Sequence, residues 1–328
     1  MATCFFRSPL ASRLQAFLEA RYGRGRRGIS SQKILLYLDQ FLVTELKPKQ
    51  PITREVAEHW MESMAHLSPN TRINRLCILR QFCRYLSFFD SRTCLIHRNC
   101  APRRTRPAPY IYSRQEVSRI MAAARKLGPP GSLRPVVVSN LIGLLYATGL
   151  RIGEALNLTL ADIDLKRRVI EVREGKFKKS RYVPISPSTA KHLRVYLEKR
   201  RQAGFSTASD APAFLNIIGA KHGHPGFVTL FLEILRDIGL RGPKGQPGPR
   251  IHDLRHTFAV HRLLAWYRQS VNLAAKVPLL STYLGHSTIT GTDVYLNATA
   301  QLLESVGKRF HAHFAVPLRS DLKNHDQV

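Results

Sequence analysis

Two residues of the segment YLGHSTITGTDVYLN (283–297) could take part in chemistry, His286 and Tyr295. Most tyrosines rest their ring on a hydrophobic core and give their hydroxyl a hydrogen-bond partner. A tyrosine can also act as a nucleophile, but its phenol has a pKa of about 10 and needs neighbouring groups that take its proton. The interpretation of Tyr295 therefore depends on the cationic and acid–base residues elsewhere in the chain.

The segment TGLRIGEALNL (148–158) supplies an arginine and a glutamate one helical turn apart, Arg151 and Glu154. Arg151 follows Gly149 at the predicted start of a helix, where a guanidinium can hold a phosphate with two hydrogen bonds. Glu154 could then orient Arg151. The alternative is a surface ion pair, which stabilises a helix little.

The segment IHDLRHTFAVH (251–261) places His252, Arg255 and His256 on one face of a predicted helix. Two histidines four residues apart also resemble a zinc site of the HExxH type. Arg255 on the same face would repel a metal ion, and no third ligand follows nearby. The pattern therefore argues against a metalloprotease.

Lys176 follows Gly175 in a turn between two predicted strands, RRVIEVREGKFKKSRYVPIS (167–186). A lysine in such a turn is usually only solvated. Further basic residues at 178, 179 and 181 suit a turn that enters a DNA groove, so Lys178 and Lys179 are predicted to bind DNA.

The chain has 328 residues and a formal net charge of +29, with 51 Lys and Arg against 22 Asp and Glu. This surplus indicates a polyanionic partner, because basic residues gain affinity by displacing counterions from phosphates. An anionic membrane surface is the alternative. The most apolar window (137–151) is interrupted by polar residues and is too short to cross a bilayer, so we expect no membrane partner.

Five cysteines, an odd number in a long chain, predict reduced thiols in a cytoplasmic protein. The segment CLIHRNC (94–100) has the spacing of metal ligands, but it offers only Cys94, His97 and Cys100. No second pair of ligands follows at the distance found in zinc fingers. Buried thiols and a surface histidine are the favoured interpretation.

The first hundred residues have helical periodicity. Apolar positions recur at Leu10, Leu14, Phe17 and Leu18, and again at Ile34, Leu38, Phe41 and Leu42. A third helix is predicted at SPNTRINRL, with Ser68 as N-cap and Pro69 in its first turn. The polar side of this third helix and the basic turn at residues 24–27 are predicted to face DNA. The alternative is a solvated surface. These arginines are Arg24, Arg26, Arg27, Arg72, Arg75, Arg80 and Arg84.

The segment NCAPRRTRPAPYIYS (99–113) is typical of a linker, because proline and arginine recur without periodicity. It predicts domains at 1–106 and 107–328. The second domain mixes elements: a capping box of Ser113 and Glu116, a buried helix over 134–147, the two strands, and further helices after 187 and from about His252.

The chain resembles the tyrosine recombinases, the phage-integrase-type site-specific recombinases. Their catalytic pattern is matched, in this order, by Arg151, Lys176, His252, Arg255, His286 and Tyr295. The resemblance runs over roughly residues 110–310. It implies a mainly α fold with a small antiparallel β-sheet (α+β), in which a helical, SAM-like core-binding domain precedes an integrase-type catalytic domain. Only the segment between Arg255 and His286 departs from the family, since it is longer than the family's compact helix–turn–helix.

The resemblance implies that Tyr295 cleaves and rejoins DNA through a 3′-phosphotyrosine. Arg151 and Arg255 would stabilise the phosphate oxygens, His252 would act as general acid–base, Lys176 would protonate the leaving oxygen, and His286 would hydrogen-bond the phosphate. Glu154 would support Arg151. Neither a metal nor another cofactor is implied.

Recombination cuts four strands, so the resemblance implies a homo- or hetero-tetramer on two sites in double-stranded DNA, from a mobile element that integrates or transposes. The helix predicted at 298–314 could pack on its own domain or on a neighbour. The alternatives are a type IB topoisomerase-like enzyme and a DNA-binding accessory protein that does not cut.

Overall fold

The structure, a computed structural model, describes residues 5–23, 29–97, 100, 102, 108–173 and 180–285. The chain divides into two compact units, Met1–Pro107 and Ala108–Val328. The described parts are mainly helical with one small antiparallel sheet, as the predicted fold class requires.

The first unit contains four helices in the residues described: α1 (Ala11–Gly23), α2 (Ile29–Glu45), α3 (Arg54–Ser63) and α4 (Pro69–Leu86). Side chains from all four form one hydrophobic core, which includes Leu14, Leu38, Trp60 and Phe82. The hydroxyl of Ser68 accepts a hydrogen bond from the backbone N–H of Thr71, so the predicted cap of α4 is confirmed.

The sequence analysis missed α3, and the helix predicted as the third is the fourth. Thr53 caps α3 by accepting a hydrogen bond from the N–H of Val56. Val56, Ala57 and Trp60 are buried at helical spacing. A cap followed by this spacing was a readable signal, although a ten-residue helix with one buried turn gives a weak one.

The second unit contains seven helices and three strands in the residues described. The helices are α5 (Arg114–Ala124), α6 (Arg134–Thr148), α7 (Ile152–Leu156), α8 (Pro187–Gln202), α9 (His224–Asp237), α10 (Asp253–Arg268) and α11 (Leu273–Leu284). The strands are β1 (Ile163–Asp164), β2 (Val169–Val172) and β3 (Arg181–Pro184).

Helix α6 lies at the centre of this unit, because α5, α8 and α10 all pack against it. It is apolar around most of its circumference, and Val138, Leu141 and Ile142 are buried. The predicted capping box before α5 is confirmed, since the hydroxyl of Ser113 and the carboxylate of Glu116 each accept the other's backbone N–H. Helix α6 therefore provides the core on which the elements that carry Arg151 and Arg255 are mounted.

The strands form an antiparallel sheet in the order β1–β2–β3, with Ile170 opposite Val183 and Val172 opposite Arg181. The predicted pair of strands is thus confirmed, and β1 was missed because it is only two residues long. The connection between β2 and β3 at residues 174–179 lies outside the described residues.

The segment between Arg255 and Gly285 is helical over most of its length. It forms the rest of α10 and the whole of α11, joined by residues 269–272. Phe258, Leu263, Leu280 and Leu284 pack with their neighbours into a hydrophobic cluster of their own. These residues therefore lie within a well-packed pair of helices. Within the described ranges, no helix has the length and apolar character that a membrane crossing requires.

Gly149 ends α6 with a positive φ of 63° and lies against α10 and α11. A Cβ at this position would stand 2.6 Å from Cδ1 of Phe258 and 2.9 Å from Cδ2 of Leu284. We expect Gly149→Ala to destabilise the protein by on the order of 3 kcal/mol, because backbone strain and overpacking add. The shift of the urea midpoint by circular dichroism measures it.

Gly153→Ala is the matched control, because Gly153 lies in α7 with nothing within 4 Å of its Cβ position. Alanine at that position should be neutral or stabilise by up to about 1 kcal/mol. Equal effects of the two substitutions would contradict the assigned contacts of Gly149.

Candidate active site

Arg151 occupies the N-cap position of α7, as predicted. Its backbone N–H donates to Oε2 of Glu154 at 2.9 Å, and its Nη1 donates to Oε1 at 2.7 Å. Its Nη2 donates to the carbonyl of Gly285 at 3.0 Å. Glu154 therefore orients Arg151 through both main chain and side chain, and the carboxylate is only 7% exposed.

Arg255 lies in the first turn of α10 and is buried, with 2% exposure. Its Nη1 donates to the carbonyl of Gly149 at 2.8 Å, and its Nη2 donates to the carbonyl of Leu284 at 2.6 Å. A buried guanidinium is tolerated when its donors are satisfied by acceptors such as these. These bonds join α10 to the ends of α6 and α11.

The C-terminal turn of α11 is the point where the arginines meet. Helix ends leave carbonyls without intrahelical partners, and cations stabilise them there. Arg151 binds the carbonyl of Gly285 and Arg255 binds that of Leu284. The described chain ends at Gly285, so this turn leads directly to His286.

His252 lies at the N-cap position of α10 and remains exposed at the surface of the site. Its ring centroid is 4.9 Å from that of His256, with the two rings perpendicular. Packing around the imidazole, and then the positive charge of Arg255, lowers the pKa of His252 below its usual 6.5. The imidazole is therefore neutral at pH 7 and able to accept a proton.

A third arginine, Arg181, completes the cluster in a way that the sequence analysis missed. It was expected to face a DNA groove with Lys178 and Lys179, but its side chain is only 13% exposed. Its Nη1 and Nη2 donate to the two carboxylate oxygens of Glu154 at 3.1 and 2.9 Å.

The alternation of β3 was the signal for this burial. Tyr182 is exposed, whereas Val183 is buried. Because side chains alternate along a strand, Arg181 shares the inward face with Val183.

Glu154 is one carboxylate between two guanidiniums. Burial alone would raise its pKa, but hydrogen bonds from Arg181 and from the main chain of Arg151, with the charge of Arg181, lower the pKa to about 2. Glu154 therefore stays ionised throughout the physiological range.

Several predicted residues lie outside the described residues. They are Lys176, His286, Tyr295, Lys178, Lys179, Arg24, Arg26 and Arg27. In α4, Arg72, Arg75 and Arg80 are half-buried and Arg84 is exposed, and Arg75 lies 4.3 Å above the ring of Tyr37. DNA binding by these arginines stays a prediction.

The described part of the chain contains no group of three His, Cys, Asp or Glu side chains placed to hold a metal ion. Cys77, Cys83, Cys94 and Cys100 are free thiols.

Residues 112–301 match the phage integrase family, which is more than half of the chain. The "Putative integrase/recombinase y4rB" of Sinorhizobium fredii (strain NBRC 101917 / NGR234) is 35% identical over 90% of this chain and 95% of its own length. The chain belongs to the phage integrase family. It is a tyrosine-type site-specific recombinase.

A second relative of this recombinase is the "Tyrosine recombinase XerA" of Thermococcus kodakarensis (strain ATCC BAA-918 / JCM 12380 / KOD1), 30% identical over 75% of this chain and 79% of its own. Two solved structures share the fold at low sequence identity. The XerH recombinase bound to a difH substrate has a TM-score of 0.66 at 19% identity, covering 92% of this chain and 84% of its own. The Tn1549 transposon integrase bound to transposon right end DNA has a TM-score of 0.65 at 17% identity, covering 89% and 98%.

The depressed pKa of Glu154 predicts how stability changes in acid. The carboxylate contributes stability that is present above pH 4.5 and lost as the pH falls through about 2. Between pH 5 and pH 2 we expect the wild type to lose roughly 2–3 kcal/mol more than the variant Glu154→Gln. Urea unfolding across this pH range measures the difference.

Glu198→Gln provides the control, because Glu198 pairs with Arg201 on the surface. This variant should keep the wild-type pH dependence, because an exposed ion pair contributes little to stability. A parallel pH dependence of wild type and Glu154→Gln would show that Glu154 is not held ionised by the arginines.

Proposed function

We propose that this recombinase cleaves double-stranded DNA by attack of the Tyr295 hydroxyl on a phosphodiester. The observation that carries the proposal is the convergence of Arg151 and Arg255 on the carbonyls of Gly285 and Leu284. These two guanidiniums, remote in sequence, meet at the turn that leads to His286 and Tyr295. An array of fixed cations is what a phosphoryl transition state requires.

The proposed step balances without another reactant. The Tyr295 oxygen forms a bond to phosphorus, and the bond between phosphorus and the 5′ oxygen breaks. His252 accepts the phenol proton, and Lys176 gives a proton to the departing 5′ oxygen. The products are a 3′-phosphotyrosine and a 5′-hydroxyl.

Rejoining is the reverse reaction with a 5′-hydroxyl from a second DNA. That hydroxyl attacks the phosphotyrosine and gives its proton to Lys176, while the tyrosine oxygen departs and takes back the proton held by His252. One phosphodiester is exchanged for another, so the covalent intermediate conserves the bond energy and nucleotide hydrolysis is not required. Arg151, Arg255 and His286 stabilise the phosphate oxygens in both directions.

The neutral state of His252 supports its role as base in cleavage. Packing around the ring, and then the charge of neighbouring arginines, disfavour the imidazolium, so the ring can take a proton at pH 7. Arg151 and Arg255 keep a positive field at the phosphate while one histidine stays neutral.

Double-stranded DNA is the proposed partner, and four protomers on two sites supply one tyrosine for each strand cut. The net charge of +29 supports a DNA partner. So does the fold shared with XerH and the Tn1549 integrase, whose structures contain their DNA. The likeness to a named integrase/recombinase and to a transposon integrase supports an origin in a mobile element. We place the enzyme in the cytoplasm, where its free thiols stay reduced.

The nucleophile is tested by covalent capture on DNA. The full chain is incubated with nicked duplexes that tile the DNA flanking its gene, and with a randomised duplex library. Adducts are isolated under denaturing conditions and sequenced. We expect adducts at 3′ ends with the wild type, and a loss of at least about 10³-fold with Tyr295→Phe, which lacks the attacking hydroxyl but retains the ring.

Tyr267→Phe is the matched control, because Tyr267 is an exposed tyrosine of α10 outside the site. It should form adducts at the wild-type rate. Adducts of normal yield with Tyr295→Phe would refute the assignment. DNA binding without adducts from the wild type on any duplex would indicate the non-cutting accessory protein.

The role of His252 predicts a pH profile for adduct formation in single turnover. Because the pKa of His252 lies below 6.5, the rate should be level near pH 7 and fall about tenfold per unit below that pKa. His252→Gln should be slower at pH 7 and lack this acid limb. An unchanged acid limb in His252→Gln would assign the titration to another group.

A further inference from the structure

Arg181 is the one arginine of the described cluster for which the catalytic pattern gives no role. It is the first residue of β3 and pairs with Val172 of β2. The connection that carries Lys176 runs between these two strands. Arg181 therefore stands at the base of that connection, with its side chain directed inward.

The guanidinium of Arg181 has three described attachments. Nη1 and Nη2 donate to the two oxygens of Glu154, and Nε donates to the carbonyl of Tyr283 at 2.8 Å. The carboxylate that it holds is the one that orients Arg151. Arg181, Arg255 and Arg151 thus bind three successive carbonyls at the end of α11.

The turn after Tyr283 fits closely around this guanidinium. Gly285 has a φ of 68°, and a Cβ there would stand 2.9 Å from Nη1 of Arg181 and 3.0 Å from Cζ. Glycine thus supplies both the left-handed conformation and the space that the guanidinium occupies. The turn at Gly285 is therefore shaped against Arg181.

We infer that Arg181 is a positioning residue for strand transfer, which holds the Glu154–Arg151 pair and the turn before His286 in one arrangement. The inference rests on the proposed function. Arg181 itself does not touch the phosphate. It acts because small displacements of groups around a reacting phosphate reduce the rate strongly.

A purely structural role would have a different signature. Arg200 illustrates it: this buried arginine of α8 donates to the carbonyls of Ser206 and Pro212, away from Arg151 and α11. Removing such a residue lowers stability but leaves the reaction of the folded protein unchanged. Arg200→Gln is therefore the matched control for Arg181→Gln.

The experiment compares full-length wild type, Arg181→Gln, Arg181→Lys and Arg200→Gln. The first measurement is the single-turnover rate of adduct formation on a nicked duplex captured by the wild type, together with the affinity for that duplex. We expect Arg181→Gln to lower the rate about 100-fold while the affinity changes less than about threefold. Arg181→Lys should recover part of the rate, because an ammonium restores the charge but cannot bind Glu154 and Tyr283 together.

The second measurement needs no DNA. Hydrogen exchange of the amides at residues 282–285 is followed by mass spectrometry under conditions where each variant is folded. We expect about tenfold faster exchange in Arg181→Gln and wild-type exchange in Arg200→Gln, since Arg181 binds the carbonyl of Tyr283 in this turn and Arg200 binds carbonyls elsewhere.

The two measurements separate the possible results. A rate for Arg181→Gln within threefold of the wild type, or unchanged exchange at residues 282–285, overturns the positioning role. The positioning role is also overturned if the rate loss of Arg181→Gln is fully accounted for by lost DNA affinity. It is overturned as well if Arg200→Gln loses the same rate. If Tyr295→Phe still forms adducts, the proposed function fails, and the exchange measurement still decides whether Arg181 positions the turn.

Discussion

The structure of the second unit depends on the binding of three guanidiniums to three successive carbonyls at the end of α11. Arg181, Arg255 and Arg151 bind the carbonyls of Tyr283, Leu284 and Gly285 respectively. The arginines come from β3, α10 and α7, so one helix terminus joins the sheet and two helices. The partial negative charge of a helix C-terminus favours this arrangement. Without such acceptors, the repulsion between the three guanidiniums would not be offset.

Glu154 is the second requirement of the arrangement, because three buried or half-buried cations repel one another. Its carboxylate binds Arg151 and Arg181, and its depressed pKa shows that it stays charged. Three guanidiniums and one carboxylate leave the cluster with a net positive charge. That positive charge suits a phosphodiester, whose negative charge rises in the transition state. Packing around His252 lowers the pKa of its imidazole, and the positive charge of Arg255 lowers it further.

Much of this site could be predicted from the sequence, because local rules apply to its most informative residues. The order of Gly149, Arg151 and then Glu154 predicts the start of a helix. The histidine and arginine of IHDLRH fall on one helix face by spacing alone. Ser68, Ser113 and Glu116 follow capping rules that depend on a few neighbouring residues.

The remainder depended on contacts between distant segments. Arg181 lies next to basic residues and resembles them in composition, yet its partners Glu154 and Tyr283 are far away in the chain. Only the alternation of β3 indicated that it points inward. Helix α3 and strand β1 were missed because short elements have weak periodicity and are stabilised by tertiary packing. The long segment after Arg255 could not be assigned from length alone, since the same residues could have formed a loop.

The shared carbonyls also bear on how the site would respond to DNA. The guanidiniums proposed to bind the phosphate are the same ones that hold the turn before His286. Phosphate position and turn position are therefore linked through common donors, and a change in one alters the free energy of the other. Arg181 differs from Arg151 and Arg255 in the proposed mechanism, because those two are assigned to the phosphate and Arg181 is assigned only to Glu154 and the carbonyl of Tyr283. An anchor that does not exchange its partners can keep the turn in place while the other two arginines engage a phosphate.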